Sequence, residues 1–205
     1  MIIFDSYSAQ FSCSNIVSLL LQHITCSLRS VPSSTPTAAK ASSPSVSTLP
    51  NGLTVVTEDA SSTSTVTLTF PNAGSSSESV AEQGAALANK CLAFKSGSGL
   101  SSLLITRNLE DDGAVPFATA DRYGATVGYT SSPDHAARLV PLLATTCSFE
   151  PWDMRDASKA ASLEAGAAEA DALATLTEQV FSAAYGAQTA AGREQAALRR
   201  WRDRR

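Results

Sequence analysis

The segment GAALANKCLAFKSG, residues 84–97, comes closest in residue types and spacing to a chemical site. Read as a helix, it carries Lys90 and Cys91, with Leu87 one turn before them. A cysteine can bind a metal, but a catalytic zinc needs three protein ligands, and an aliphatic side chain supplies none. The ammonium group of Lys90 would also repel the ion. The residue types therefore predict no zinc, no other metal and no cofactor here.

Nucleophilic catalysis by the thiol is the next chemistry to consider. The chain has two histidines, and His23 lies in the N-terminal segment, which leaves His135 as the possible partner of Cys91. The interpretation that the residues favour is a buried structural thiol.

Three consecutive acidic residues and one tryptophan complete the candidates. The acidic residues, 110–112, precede Gly113 and are interpreted as a solvated helix end rather than an acid–base pair. Trp152, in FEPWDMRD, is interpreted first as a packing anchor at a helix start and second as an interface residue.

Composition separates an N-terminal segment from the rest of the chain. The 205 residues are 43% hydrophobic with a net charge of −4, which suits a packed domain and gives no reason to expect nucleic-acid binding. No apolar run is long enough to span a bilayer. Residues 1–48 are rich in Ser, Thr and Pro with one acidic residue, Asp5, which predicts a disordered, transit-peptide-like leader. Two alternative interpretations of this segment remain open: a weak secretory signal, and a disordered extension without a targeting function.

Residues 49–190 alternate between strand and helix patterns. LPNGLTVV and TSTVTLTF read as strands that pair in one sheet, and AVPFATADRYGATVGYTSS reads as a bent strand pair or a hairpin. Helical patterns follow each pair of strands; we expect Pro141 to kink or shorten one helix and Gly166 to interrupt the last. The order predicts an α+β domain with helices packed on one side of a mostly antiparallel sheet.

Five segments in this region resemble, in order, marks of the pitrilysin family of metallopeptidases, in its N-terminal domain. They are LPNGLTV, AGSSSES, ITRNLEDDGAVPFATADR, FEPWDMRDA and FSAAYG. The resemblance covers residues 49–190. Because family members are tandem repeats of this architecture, it implies an incomplete domain without its last strand, and it leaves residues 191–205 as an unassigned basic tail.

The same resemblance places the opening segment on the family's zinc helix. GAALANKCLAFKSG aligns without a gap on GtAHFLEHMAFKGT, whose His-x-x-Glu-His motif binds zinc and supplies the general base. Leu87 then stands at the first His, Lys90 at the Glu and Cys91 at the second His. Glu164 is the nearest match to the third ligand, although the interpretation that the Ala-rich sequence around it favours is a solvated helix residue. The resemblance therefore implies a degenerate metallopeptidase homologue without catalytic residues, which argues against a hydrolase with an unfamiliar site.

Within the family, the chain looks most similar to the branch of mitochondrial processing peptidase subunits and cytochrome bc1 core subunits. That implies a non-catalytic structural subunit of the core 2 type in ubiquinol–cytochrome c reductase, respiratory complex III. It would lie on the matrix side of the mitochondrial inner membrane and pair with a core 1-type or processing peptidase beta-type subunit. The alternative is the presequence-binding, non-catalytic alpha subunit of the processing peptidase.

Overall fold

The computed structural model describes residues 2–4, 43–59, 62–79, 82–97, 99–145, 148–187 and 189–192. Its strands form one six-stranded sheet in the order β2-β3-β1-β4-β6-β5. The strands are β1 (Ile2–Phe4), β2 (Ser45–Thr48), β3 (Leu53–Thr57), β4 (Ser64–Pro71), β5 (Val115–Ala120) and β6 (Gly124–Ser131). The helices are α1 (Ala85–Leu92), α2 (Ser102–Asp111), α3 (Pro133–Thr145), α4 (Met154–Ala170) and α5 (Ala172–Tyr185). Short 3-10 turns lie at Ser75–Ser77 and Pro151–Asp153.

Strand β1 changes the predicted pairing of the sheet. It runs antiparallel to β3, with Ile2 opposite Val55, and parallel to β4, with Ile2 opposite Leu68. The two strand patterns LPNGLTVV and TSTVTLTF therefore share a sheet but do not neighbour each other, so the prediction that they pair is wrong. The backbone of β1 occupies the hydrogen-bonding edge of each.

Two strands fall inside the segment 1–48 that was predicted to be a disordered leader. β1 comes from its first residues and β2 from its last, where Ser45–Thr48 pairs antiparallel with β3. The prediction of disorder does not hold for these two stretches, which contain β-branched and aromatic residues that favour strands: IIF in β1 and the Val and Thr of SVST in β2. Residues 5–42 lie outside the described residues, and the targeting role of the leader stays a prediction.

The chain divides into two compact units, and the first comprises residues 1–69, 94–117 and 127–149. Helices α2 and α3 contact each other in it. Ser101 caps the N-terminus of α2, since its hydroxyl accepts a hydrogen bond from the Leu104 amide, and the chain turns at Gly113 as predicted. Helix α3 continues past Pro141 to Thr145, so this proline does not shorten it. Its apolar side chains, those of Leu139, Val140, Leu142 and Leu143, are buried.

Asp112 is the buried charged residue that ties α2 to α3. Its carboxylate accepts hydrogen bonds from Arg138, one of them from Nε at 2.9 Å, and lies 3.3 Å from Nδ1 of His135. The interpretation of residues 110–112 as a solvated helix end is therefore wrong for Asp112, whose side chain is 1% exposed. Arg138 and His135, both on α3, therefore supply the nitrogen atoms that partner this buried carboxylate.

Tyr129 lies beside this cluster, and its ionisation is coupled to folding. Its buried hydroxyl donates to the Ala136 carbonyl at 2.6 Å. Burial raises the pKa of Tyr129 well above its usual range, and the negative charge of Asp112 raises it further. The folded chain therefore keeps this hydroxyl protonated at a pH where the unfolded chain loses the proton.

Stability is expected to fall as the pH rises above about 10, the ordinary pKa of tyrosine. Below that pH, Tyr129 is protonated in both states; above it, only the unfolded chain ionises, at a cost that approaches about 1.4 kcal/mol per pH unit. Urea unfolding at several pH values from about 9 to about 11 measures how steeply the free energy of unfolding falls with pH. Tyr129→Phe, which cannot ionise, should show a shallower decline, and equal slopes in the two proteins would contradict the prediction.

The second unit comprises residues 70–93, 118–126 and 150–205. Within it, α4 contacts α1 and α5. Gly166 does not interrupt the helical pattern as predicted: it lies inside α4, and the break comes at Asp171. The backbone of Asp171 is extended, and its carboxylate accepts a hydrogen bond from the Leu173 amide at 3.0 Å. An N-cap that ends one helix and starts the next explains why the break falls there.

The predicted α+β class with a mostly antiparallel sheet is confirmed. Strands β5 and β6 form the predicted hairpin, since only three residues join them. Among the described helices, none combines the length and apolar character needed to cross a membrane.

Candidate functional site at helix α1

Helix α1 is positioned by a carboxylate at its N-terminus. Gly84 precedes the helix with a φ of 90°, a conformation that glycine adopts without strain. The side chain of Glu78 accepts hydrogen bonds from the Gly84 amide at 2.8 Å and the Ala86 amide at 2.7 Å. These bonds satisfy donors that the first turn leaves open, and the negative charge complements the helix dipole. Glu78 therefore fixes where the helix starts.

One face of α1 packs against α4 through small side chains. Ala157, Ala161 and Ala165 recur every four residues along α4 and are buried. Leu87 and Cys91, on successive turns of α1, pack against Ala161 and Ala165. An alanine surface lets two helices approach closely, and it leaves the two α1 side chains in an apolar contact.

The remaining two site residues meet at the edge of this contact. Nζ of Lys90 lies 2.7 Å from Oε2 of Glu164, and the two side chains are 29% and 45% exposed. Such a partly solvated ion pair contributes about 1 kcal/mol or less to stability. The ion pair matters more for metal binding than for stability. The Glu164 carboxylate, which could serve as a metal ligand, already accepts a hydrogen bond from the Lys90 ammonium group.

The structure thus brings all four predicted positions together: Leu87, Lys90, Cys91 and Glu164. Glu164 lies opposite α1, where its side chain is 45% exposed and bound to Lys90, so it is a solvent-exposed helix residue with an ion-pair partner. One carboxylate and one thiol remain as potential ligands, flanked by a cation and an aliphatic group. Within the described residues, no three His, Cys, Asp or Glu side chains lie close enough to hold a metal ion.

Each of the other candidates has its own neighbours within its unit. His135 faces Asp112 in the first unit, whereas Cys91 contacts alanines in the second. Trp152 is 69% exposed, so the interpretation of this residue as a packing anchor is wrong. It stands in a 3-10 turn ahead of α4, where the inward positions of the following helix go to alanines.

Arg122 is an organising residue whose role the sequence analysis missed. Its side chain is 7% exposed and donates to Glu178 at 2.8 Å and to the Ala191 carbonyl at 2.8 Å. The guanidinium carbon also lies 4.3 Å from the ring centroid of Phe181. These contacts tie the β5–β6 turn to α5 and to the residues after it. Because the partners are more than fifty residues apart, no local sequence signal reveals them.

Comparisons with known proteins agree with this geometry. Residues 54–195 match the insulinase family, peptidase family M16. Among solved structures, the chain is similar to a peptidase M16 inactive domain from Pseudomonas fluorescens, with 16% identity and a TM-score of 0.64 over 75% of this chain and 38% of that one. It is also similar to a protease from Helicobacter pylori, with 20% identity and a TM-score of 0.60 over 69% and 35%. No curated protein matches the chain.

Both structural likenesses show the fold, and the chain spans little more than a third of the length of these solved relatives. The family match covers well over half of the chain and includes α1, α4 and α5. The chain therefore belongs to the insulinase family, peptidase family M16, which is the pitrilysin-like family that its motifs resemble.

Proposed function

We propose that this chain is a non-catalytic M16 subunit with a structural role. The observation that carries the proposal is the ion pair between Lys90 and Glu164 beside Leu87. Hydrolysis by this family would need two imidazoles and a carboxylate base where the chain has an aliphatic group, a thiol and an ammonium. Lys90 stands where the family has its carboxylate base, and its Nζ engages the carboxylate of Glu164. The solved relative from Pseudomonas fluorescens, an inactive M16 domain, is consistent with such a loss of activity in the family.

We further propose that the structural role is that of a core 2-like subunit of mitochondrial complex III. Support comes from LPNGL, from the absence of a histidine at Leu87 and from FEPWDMRDA, which favour that branch of the family. The acid-poor, Ser-rich segment 1–48 supports a mitochondrial address. The partner in this proposal is a core 1-type or processing peptidase beta-type subunit on the matrix side of the inner membrane.

Blue-native electrophoresis of mitochondria that express the tagged full-length chain tests this assignment. We expect the protein to migrate with complex III and to be recovered with its core 1-type subunit. Recovery only with a soluble processing peptidase heterodimer would contradict the assignment and favour the alpha-subunit alternative. A chain that lacks residues 1–48 is not a suitable control, because it also loses β2; a tagged matrix protein of similar size serves instead.

A further inference from the structure

Helix α5 turns its larger aliphatic side chains away from its own unit. Leu173, Leu176 and Val180 are 73%, 57% and 64% exposed, and no residue of the helix is fully buried. The inward side is instead partly polar, with Glu178 bound to Arg122 and Phe181 beneath the same guanidinium. An amphipathic helix ordinarily buries its apolar stripe. The stripe of α5 therefore has no covering element in the described part of the chain.

The exposed stripe has the spacing of a helix–helix interface. Leu173, Leu176, Val180 and Ala183 follow one another at intervals of three, four and three residues, which is the a/d repeat of a coiled-coil seam. We call these four residues the α5 seam. The sequence of α5 contains a single charged residue, Glu178, and this residue is bound inward to Arg122. The seam accordingly offers an uncharged apolar surface suited to another helix.

We propose that the α5 seam pairs in antiparallel orientation with the α5 seam of a second copy of this chain. In that arrangement a two-fold axis crosses the helix pair between Leu176 and Val180. Leu173 of one copy then faces Ala183 of the other, and Leu176 faces Val180. A large side chain thus meets a small one at each end, which is the alternation that fills a helix interface.

Charge also favours a second copy as the occupant. A two-fold axis sets a surface against itself, so any net charge on the surface would be repelled by its own image. The seam carries no charge, and the antiparallel arrangement places the helix dipoles in opposite directions. The inference goes beyond the proposed structural role, because it requires neither complex III nor a different M16 chain.

Sedimentation velocity of the purified full-length chain over a range of concentrations tests the pairing. We expect a reversible monomer–dimer equilibrium. Leu176→Glu and Val180→Glu should each raise the dimer dissociation constant about tenfold or more, because each places two like charges across the axis. Leu163→Glu is the matched control: Leu163 is 68% exposed on α4, outside the seam, and its replacement should leave the equilibrium unchanged. Circular dichroism should show all three variants folded.

Mixing two variants that each carry one added cysteine tests the orientation of the two helices. Leu176→Cys and Val180→Cys chains, mixed and oxidised, should form a disulfide-linked heterodimer more efficiently than either alone, while the unsubstituted chain reports links through native cysteines. A monomer at every concentration would overturn the proposal, as would a dimer unaffected by both glutamate variants. Association only with a different M16 subunit would also overturn it. Because co-migration with complex III is measured separately, failure of either proposal can be recognised without the other.

Discussion

Replacing Arg122 with alanine is expected to lower the free energy of unfolding by about 3 kcal/mol. The substitution removes both hydrogen bonds of the guanidinium and its contact with Phe181, and it leaves Glu178, which is 23% exposed, without this cation. Loss of one partner of a largely buried ion pair is costly because the other charge stays in a poorly solvated position. Against a total stability of about 5–15 kcal/mol, the change is large.

Urea unfolding followed by circular dichroism measures this loss, and the matched control is Lys90→Ala. Both substitutions break an ion pair to a glutamate within the second unit, but Lys90 and Glu164 are far more exposed. The control should therefore cost about 1 kcal/mol or less. Equal losses in the two variants would show that burial does not set the strength of the Arg122 contacts, contrary to the prediction.

The second large effect is a gain of metal binding. The triple variant Leu87→His, Lys90→Glu, Cys91→His restores the family's ligand pattern on α1, where residues 87 and 91 lie on one face. The same change removes the ammonium that holds Glu164, which leaves this carboxylate available as the third ligand. We expect one zinc per chain by mass spectrometry of the metal, whereas the unsubstituted chain binds none in stoichiometric amount.

Binding should also raise the stability of the triple variant by about 2.7 kcal/mol at a zinc concentration one hundred times the dissociation constant. The control is the triple variant with Glu164→Gln added, which keeps the helix contact but weakens the third ligand. Zinc binding that is equally tight after this fourth substitution would show that Glu164 is not at the ligand position. Absence of binding in the triple variant would show that α1 and α4 no longer hold the family's geometry.

The sequence predicted the elements whose signals are local. Gly113 indicated where α2 ends, and the glycines of the β5–β6 region indicated a bent strand pair or a hairpin. Because four-residue spacing fixes which side chains share a helix face, Leu87 and Cys91 could be expected on the same side of α1, where both pack against α4.

The features that the sequence did not reveal depend on distant contacts. Nothing in Ile2–Phe4 shows that these residues lie between β3 and β4. Asp112 reads as one of three equivalent acidic residues until α3 brings Arg138 and His135 to it. Trp152 is a large aromatic residue of the type that often anchors a helix by packing, yet it is exposed and the adjoining helix α4 buries alanines instead. In each case the neighbour that decides the outcome comes from another part of the chain.

The helix break at Asp171 was missed for a different reason. Its signal was local, but the prediction gave more weight to Gly166 as the point of the break. Glycine lowers helix propensity by about 1 kcal/mol, which a long helix with a packed alanine face tolerates at Gly166. An aspartate followed by a new helical pattern is the stronger indication of a boundary, because its side chain caps the next helix.

The most direct test of the account is the zinc content of the purified, unsubstituted chain after equilibration with zinc and removal of the excess. We expect far less than one zinc per chain and no change when Glu164 is replaced by glutamine, because the Glu164 carboxylate is already bound by Lys90. One zinc per chain that is lost in Glu164→Gln would contradict it, since the α1–α4 contact would then be a working metal site.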